Sequence, residues 1–169
     1  MFYFHCTQKL LKVLDLPIQQ LPKEPDSSPM LVWYANIIEI NNLVLLLFVN
    51  DPTLYTVILP FPGRPDSAQV SKIFINNLTK SLFSDGITQP RIQRLLDELQ
   101  NSVFIKTTSR SMIGSMNDLI DICRIFINQA TVDKNKIHLY EIQNDLNRMP
   151  QRKIGWKYSV DAMRESIQD

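Results

Sequence analysis

Three apolar segments lie close together in the first third of the chain. Residues 31–40, 43–49 and 54–60 are each of strand length, rich in branched and aromatic side chains, and divided by turn-forming residues. Asn41-Asn42 separates the first two. Asparagine tolerates positive φ, so a two-residue type I′ hairpin fits there. Pairing Ile40 with Leu43 sets Ile38 opposite Leu45, Asn36 opposite Leu47 and Tyr34 opposite Val49 on one face. Ile37 then meets Leu46, and Ala35 meets Phe48, on the other. Asn50-Asp51-Pro52-Thr53 supplies the second turn. The predicted middle strand is apolar on both faces, so both faces of this antiparallel meander need cover.

Elsewhere the period lengthens to that of a helix. Residues 2–6 read as a short aromatic strand, after which Thr7 can cap a helix over residues 8–14, ended by Pro17. Residues 17–29 hold four prolines and read as a surface loop within a single domain spanning residues 1–169. Asp66 and Gln69 have capping-box spacing ahead of Val70, Ile73, Phe74, Leu78 and Leu82, and Gly86 stops that helix. Thr88 can cap the next helix, which carries Ile92, Leu95, Leu96 and Leu99. Residues 102–107 return to a strand. Ser115 with Asp118 then looks like a second capping pair, with Gly114 permitting a tight entry to the helix of Leu119, Ile122, Ile125 and Phe126. A further helix is expected over residues 136–148, then an extended piece over 154–158 and a last helix capped by Ser159. The expected fold class is α+β, a small antiparallel meander with about six surrounding helices in one layer-packed domain.

Composition narrows the function. The chain has 169 residues, 44% of them hydrophobic, enough for one core. Lys and Arg total 18 against 17 acids, a net charge of +1, so nothing global draws it to nucleic acid or an anionic membrane. The most apolar run, residues 43–49, is too short to span a bilayer, and the opening residues lack the pattern of a signal peptide. The expected location is the cytoplasm, with no membrane partner. Cys6 and Cys123 have no metal-ligand spacing and read as core residues. Of the two histidines, His5 sits in the first strand candidate and His138 lies early in a helix with no acidic or thiol partner at i+4, and the four glycines form neither a dinucleotide fingerprint nor a P-loop. No cofactor, metal site or catalytic constellation is therefore expected.

The candidate chemistry sits in three polar sets. Lys106, Arg110, Ser111, Asn117 and Asp118 surround Gly114 between a strand and a helix start, where free N–H groups attract anions. The simpler reading makes this stretch a helix cap. Trp33, Asn36, Asn50 and Asp51 lie in or near the strands beside the second turn, and Asn36 needs partners if buried. Arg148 and Trp156 belong to the third set, where Trp156 either lids the core or meets a partner. The basic tilt of Lys134, Lys136, Arg148, Arg152, Lys153 and Lys157 reads first as a solvated face and second as a nucleic-acid surface.

These segments also carry a resemblance. Trp33-Tyr34-Ala35-Asn36, the run Phe48-Val49-Asn50-Asp51-Pro52-Thr53-Leu54-Tyr55, and Leu146-Asn147-Arg148-Met149-Pro150 resemble a family of uncharacterised bacterial proteins, domain of unknown function 6933. So do the opening Cys6-Thr7-Gln8-Lys9-Leu10 and the stretch from Arg110 to Asp118, whose Gly114-Ser115-Met116-Asn117-Asp118 is its most specific part. The resemblance implies a bacterial or phage-borne cytoplasmic protein of one domain and supplies no activity. The leading expectation is a binding module without catalysis, its polar segments lining one patch for a protein partner or a small anionic ligand. One rival is an enzyme acting on a phosphate-bearing or nucleotide substrate, with Lys106 and Arg110 stabilising charge and Asp51 or Asp118 as base. The other is a nucleic-acid binder working through the basic C-terminal third.

Overall fold

A computed structural model describes residues 2–18, 28–61, 63–98 and 102–167. Five strands form one sheet: β1 (Phe2–Cys6), β2 (Val32–Ile40), β3 (Leu43–Asn50), β4 (Thr56–Pro60) and β5 (Ser102–Lys106), in the order β4-β3-β2-β1-β5. The central hairpin has the register expected from the sequence, from Ile40 opposite Leu43 to Tyr34 opposite Val49. Asn41 and Asn42 take φ of 49° and 66°, as a type I′ turn requires. The sheet is nevertheless mixed and not purely antiparallel. β1 runs parallel to β2 on one side and to β5 on the other. Parallel neighbours need long crossovers, and the chain between β1 and β2 and between β4 and β5 provides them.

Both faces of the sheet are covered. On one, Phe2, Phe4, Trp33, Phe48 and Leu46 pack against α1 (Gln8–Val13), α2 (Ser67–Ser84), α3 (Gln89–Glu98) and α6 (Ser159–Ser166). Phe74 of α2 is the hub there, its ring 4.7–5.4 Å from those of Phe2, Phe4, Trp33 and Phe48. On the other face, Tyr34, Ile38, Leu45, Leu47 and Val49 meet α4 (Arg110–Val132) and α5 (Leu139–Asn147). The alternation of β3 explains both cores, since Leu46 and Phe48 point one way and Leu45, Leu47 and Val49 the other. Among the described residues, no helix is long and apolar enough to cross a membrane.

Caps agree with the sequence in two helices and depart from it in two. Thr7 accepts from the Leu10 N–H at the head of α1, and Asp66 forms a reciprocal capping box with Gln69 at the head of α2. α4, by contrast, starts five residues before the expected Ser115–Asp118 pair, capped by Ser109, which accepts from the Met112 N–H. Gly114, Ser115, Asn117 and Asp118 therefore sit inside the helix. Gly114 has an ordinary helical backbone, and nothing lies within 4 Å of where a Cβ would stand, so it permits no tight entry. The reason is the apolar row Met112, Met116, Leu119 and Cys123, which is buried only if the helix begins ahead of Met112. Ser159 is likewise the first residue of α6 and not its cap, because Tyr158 occupies the cap position. The segment expected to be extended over 154–158 is a small hairpin. It comprises β6 (Pro150–Gln151), a 3-10 turn (Arg152–Ile154) and β7 (Lys157–Tyr158). Of the proline-rich stretch, residues 19–27 lie outside the described residues, as does Leu99.

Candidate functional site

Several of the polar residues singled out from the sequence are part of the architecture. Trp33 is fully buried and donates its indole N–H to the Met30 carbonyl at 3.2 Å. Asn50, also fully buried, donates to the carbonyls of Met30 and Val32 and accepts from Thr53 Oγ1 at 2.7 Å. It thereby ties the start of β2 to the turn after β3. Asp51 is half-buried in that turn, its N–H donating to the Val32 carbonyl. Asn36 accepts from Thr7 Oγ1 at 2.8 Å, joining β2 to the cap of α1. Lys106 ends β5 half-buried. Arg110 and Asn117 are exposed on α4.

Arg148 belongs to a polar clasp centred on the buried Asp85. Its Nη2 donates to Asp85 Oδ1 at 2.8 Å, and the Tyr55 hydroxyl donates to Asp85 Oδ2. Arg164 Nε donates to the Asp85 backbone carbonyl at 2.7 Å. Asp85 is the C-cap of α2 and only 5% exposed, so this one residue fastens the residue ahead of β4, the C-cap of α5 and α6 itself to the end of α2. Burial, then the charge and hydrogen bond of Asp85, push the Tyr55 hydroxyl far above its ordinary value of 10.0, with Arg148 pulling the other way. Burial also raises Cys6 far above its ordinary 9.0. It pushes Cys123 up to about 11, opposed by Arg124. All three groups are neutral when protonated and hold the proton longer folded than unfolded. Unfolding above pH 9 therefore releases protons, and stability falls as pH rises. Urea unfolding between pH 8 and 11 is expected to show a falling midpoint above about pH 9. The loss is roughly 1.4 kcal/mol per pH unit for each group ionised only in the unfolded chain. A level profile across that window would contradict the assignment.

The remaining candidates converge. Ser111 and Asp118 of α4 line a cleft of about 490 Å³ whose other wall is the Pro150–Gln151 strand and the turn beyond it, with Trp156 at its edge. Ser115 sits between the two α4 residues, and Leu54 forms part of the lining. Arg152 and Lys153, read from the sequence first as a solvated face and second as a nucleic-acid surface, belong to the same wall. Two of the three polar sets thus meet at one place, through Ser111, Asp118 and Trp156 of the eleven candidates, while none of the candidates beside the second turn lines the cleft. The helical spacing of Ser111, Ser115 and Asp118 puts all three on one side of α4.

Backbone geometry holds the second wall. Gly155 and Trp156 both lie in the left-handed region, at φ of 71° and 64°. Trp156 N–H donates to the Gln151 carbonyl at 2.9 Å, and Gly155 N–H to the Arg152 carbonyl at 3.1 Å. A left-handed tryptophan is strained by roughly 1–2 kcal/mol, and here it leaves the side chain 66% exposed. Lys153 Nζ is seated on Met112 Sδ of α4, which ties the hairpin to the helix. Lys157 pairs with Glu165 of α6 at 2.5 Å, outside the cleft. Arg152 makes no ion pair among the described residues, so its charge is available to a ligand. A larger, more open depression of about 760 Å³ is lined by Lys12, Asp15, Gly63, Arg64 and Asp66 among others, and none of the candidate residues lines it. Among the described residues, no three His, Cys, Asp or Glu side chains gather in a way that could hold a metal ion.

A family described as domain of unknown function DUF6933 matches residues 3–162, from β1 into α6. No curated protein matches the sequence.

Proposed function

The chain belongs to the DUF6933 family, and on that footing we propose that it is a binding module whose cleft between α4 and the Pro150–Tyr158 hairpin takes an acidic segment of a partner protein. The observation that carries this reading is the exposed Trp156, held in a left-handed conformation beside Arg152 and Lys153. Tryptophan, tyrosine and arginine dominate the energetics of protein interfaces. All three are exposed within this one hairpin, as Trp156, Tyr158 and Arg152. An acidic side chain would pair with Arg152 and Lys153, and a neighbouring apolar group would lie against the indole. Ser111 and Ser115 offer hydroxyls to a peptide backbone, and Asp118 accepts from its N–H groups. The cleft is open along the rim, which suits a segment of chain better than a small molecule needing enclosure. A bacterial, cytoplasmic setting is part of the same proposal.

Trp156 provides the assay, because the other tryptophan, Trp33, is fully buried. Acidic peptides with and without an aromatic residue would be titrated while emission is followed. The aromatic acidic peptides should shift the emission, with binding that weakens as salt is raised. Arg152→Glu should weaken that binding about tenfold or more, and Trp156→Ala should abolish the shift and the binding seen by calorimetry. Binding that survives Trp156→Ala, or no response to any acidic peptide at low salt, would overturn the reading. Binding of inorganic phosphate or a nucleotide in their place would favour the phosphate-ligand alternative, which the serines and cations of the same cleft also suit.

A further inference from the structure

The two edges of the five-stranded sheet are finished differently. At β4 the backbone groups that face outward are met by side chains of α5. Asn147 accepts from the Thr56 N–H and donates to its carbonyl, both at 2.8 Å, and Gln143 accepts from the Ile58 N–H at 2.9 Å. At β5 no described group meets the outward backbone. Thr107 N–H donates to the Cys6 carbonyl at 2.9 Å, so the odd-numbered residues of this segment direct their amides at β1. Alternation then turns the N–H and C=O of Ser102, Phe104 and Lys106 away from the sheet. Phe104 rests its ring 4.8 Å from that of Phe4 and still remains half-buried, as do Ser102, Val103 and Lys106. An uncapped, partly apolar edge is a template for another strand.

We propose that this edge is where a second copy of the chain docks, the two β5 strands pairing antiparallel about a two-fold axis through Phe104. The sequence Ser102-Val103-Phe104-Ile105-Lys106 is complementary to itself in that register. Phe104 faces Phe104 of the second copy, and Ser102 faces its Lys106. This is the one antiparallel register that pairs all three outward residues, each pair exchanging both of its N–H···O bonds. It also keeps the lysines apart, whereas an axis at Lys106 would set like charges opposite each other. Val103 and Ile105 meet across the strands on the other face, and the aromatic pair at the centre extends the core of one copy into the next. The isologous symmetry closes the pairing at two copies and leaves no free strand at the joint.

Sedimentation of the full chain over a concentration series tests this, together with amide exchange. The wild-type chain should be a dimer, with the Phe104 and Lys106 amides protected although neither has a partner among the described residues of its own copy. Lys106→Pro removes an N–H that points away from β1, so a copy keeps its own hydrogen bonds while the ring blocks the added strand. It should give folded monomers in which the Phe104 amide exchanges freely. Ser102→Lys brings lysines together twice across the axis and should weaken the dimer about tenfold, with Lys106→Glu in the same chain restoring it. A wild-type monomer with a freely exchanging Phe104 amide would overturn the proposal. So would a dimer indifferent to both Lys106→Pro and Ser102→Lys, since it would be using another face.

Discussion

Asn147→Ala is expected to lower the free energy of unfolding by about 3 kcal/mol, read from urea titrations of the variant beside the parent chain. The side chain is 1% exposed and takes the place of a neighbouring strand for Thr56, itself fully buried. Its amide oxygen and nitrogen satisfy both backbone groups of that residue at 2.8 Å. Alanine would leave an N–H and a C=O without partners and out of reach of water, at roughly 1–3 kcal/mol each. Gln143→Ala, one helical turn earlier, removes a single backbone partner at Ile58 and the bond to Ser81, and should cost about half as much. The two positions brace the same strand, so the double variant should depart from additivity. Were Asn147 a contact residue for a partner, its loss would leave unfolding unchanged and reduce binding instead. A change under about 1 kcal/mol would therefore remove the edge-bracing role.

This bracing also shows which parts of the molecule could be read from the chain. The β2–β3 register was legible because a two-residue turn and strict alternation fix it locally, from Asn41-Asn42 outward. The parallel partners of β1 were not. Nothing in Phe2–Cys6 encodes whether it joins β2, β5 or both, since those contacts close over tens of residues. The start of α4 was legible and misread: three hydroxyl residues precede it, and Gly114 drew the boundary late, while the row beginning at Met112 marked the true one. For the cleft, Ser111 and Asp118 of α4 and the aromatic Trp156 stood out as chemistry. Arg152 and Lys153 did not, because a lysine or arginine on a polar stretch looks the same whether it is solvated or poised over a pocket. The signal that could have placed them is Gly155, whose left-handed turn folds the cations back beside the tryptophan. Asn50 and Arg148 looked functional for a related reason. A polar side chain in an apolar segment announces that it has a partner, and only the fold says that the partner is backbone or Asp85.

Asp85→Ala should bring a second large loss, about 3 kcal/mol in the same urea assay. Two effects contribute unequally. The Tyr55 hydroxyl is sealed inside the protein, so losing its acceptor leaves a buried donor unpaired. Arg148 is 39% exposed on its side chain, so water takes over much of what the carboxylate gave it, and the ion pair contributes the smaller share. The backbone bond from Arg164 to residue 85 survives the substitution, which keeps α6 attached. Adding Tyr55→Phe to Asp85→Ala removes the stranded hydroxyl and should recover about 1–2 kcal/mol, although Tyr55→Phe alone in the parent chain destabilises. Asp85→Asn keeps an acceptor in place and should cost only about 1 kcal/mol. If Tyr55→Phe deepened the defect of Asp85→Ala, the hydroxyl would not be what the carboxylate serves. The clasp would then owe its strength to Arg148, and that residue would again become a candidate for the surface it partly faces.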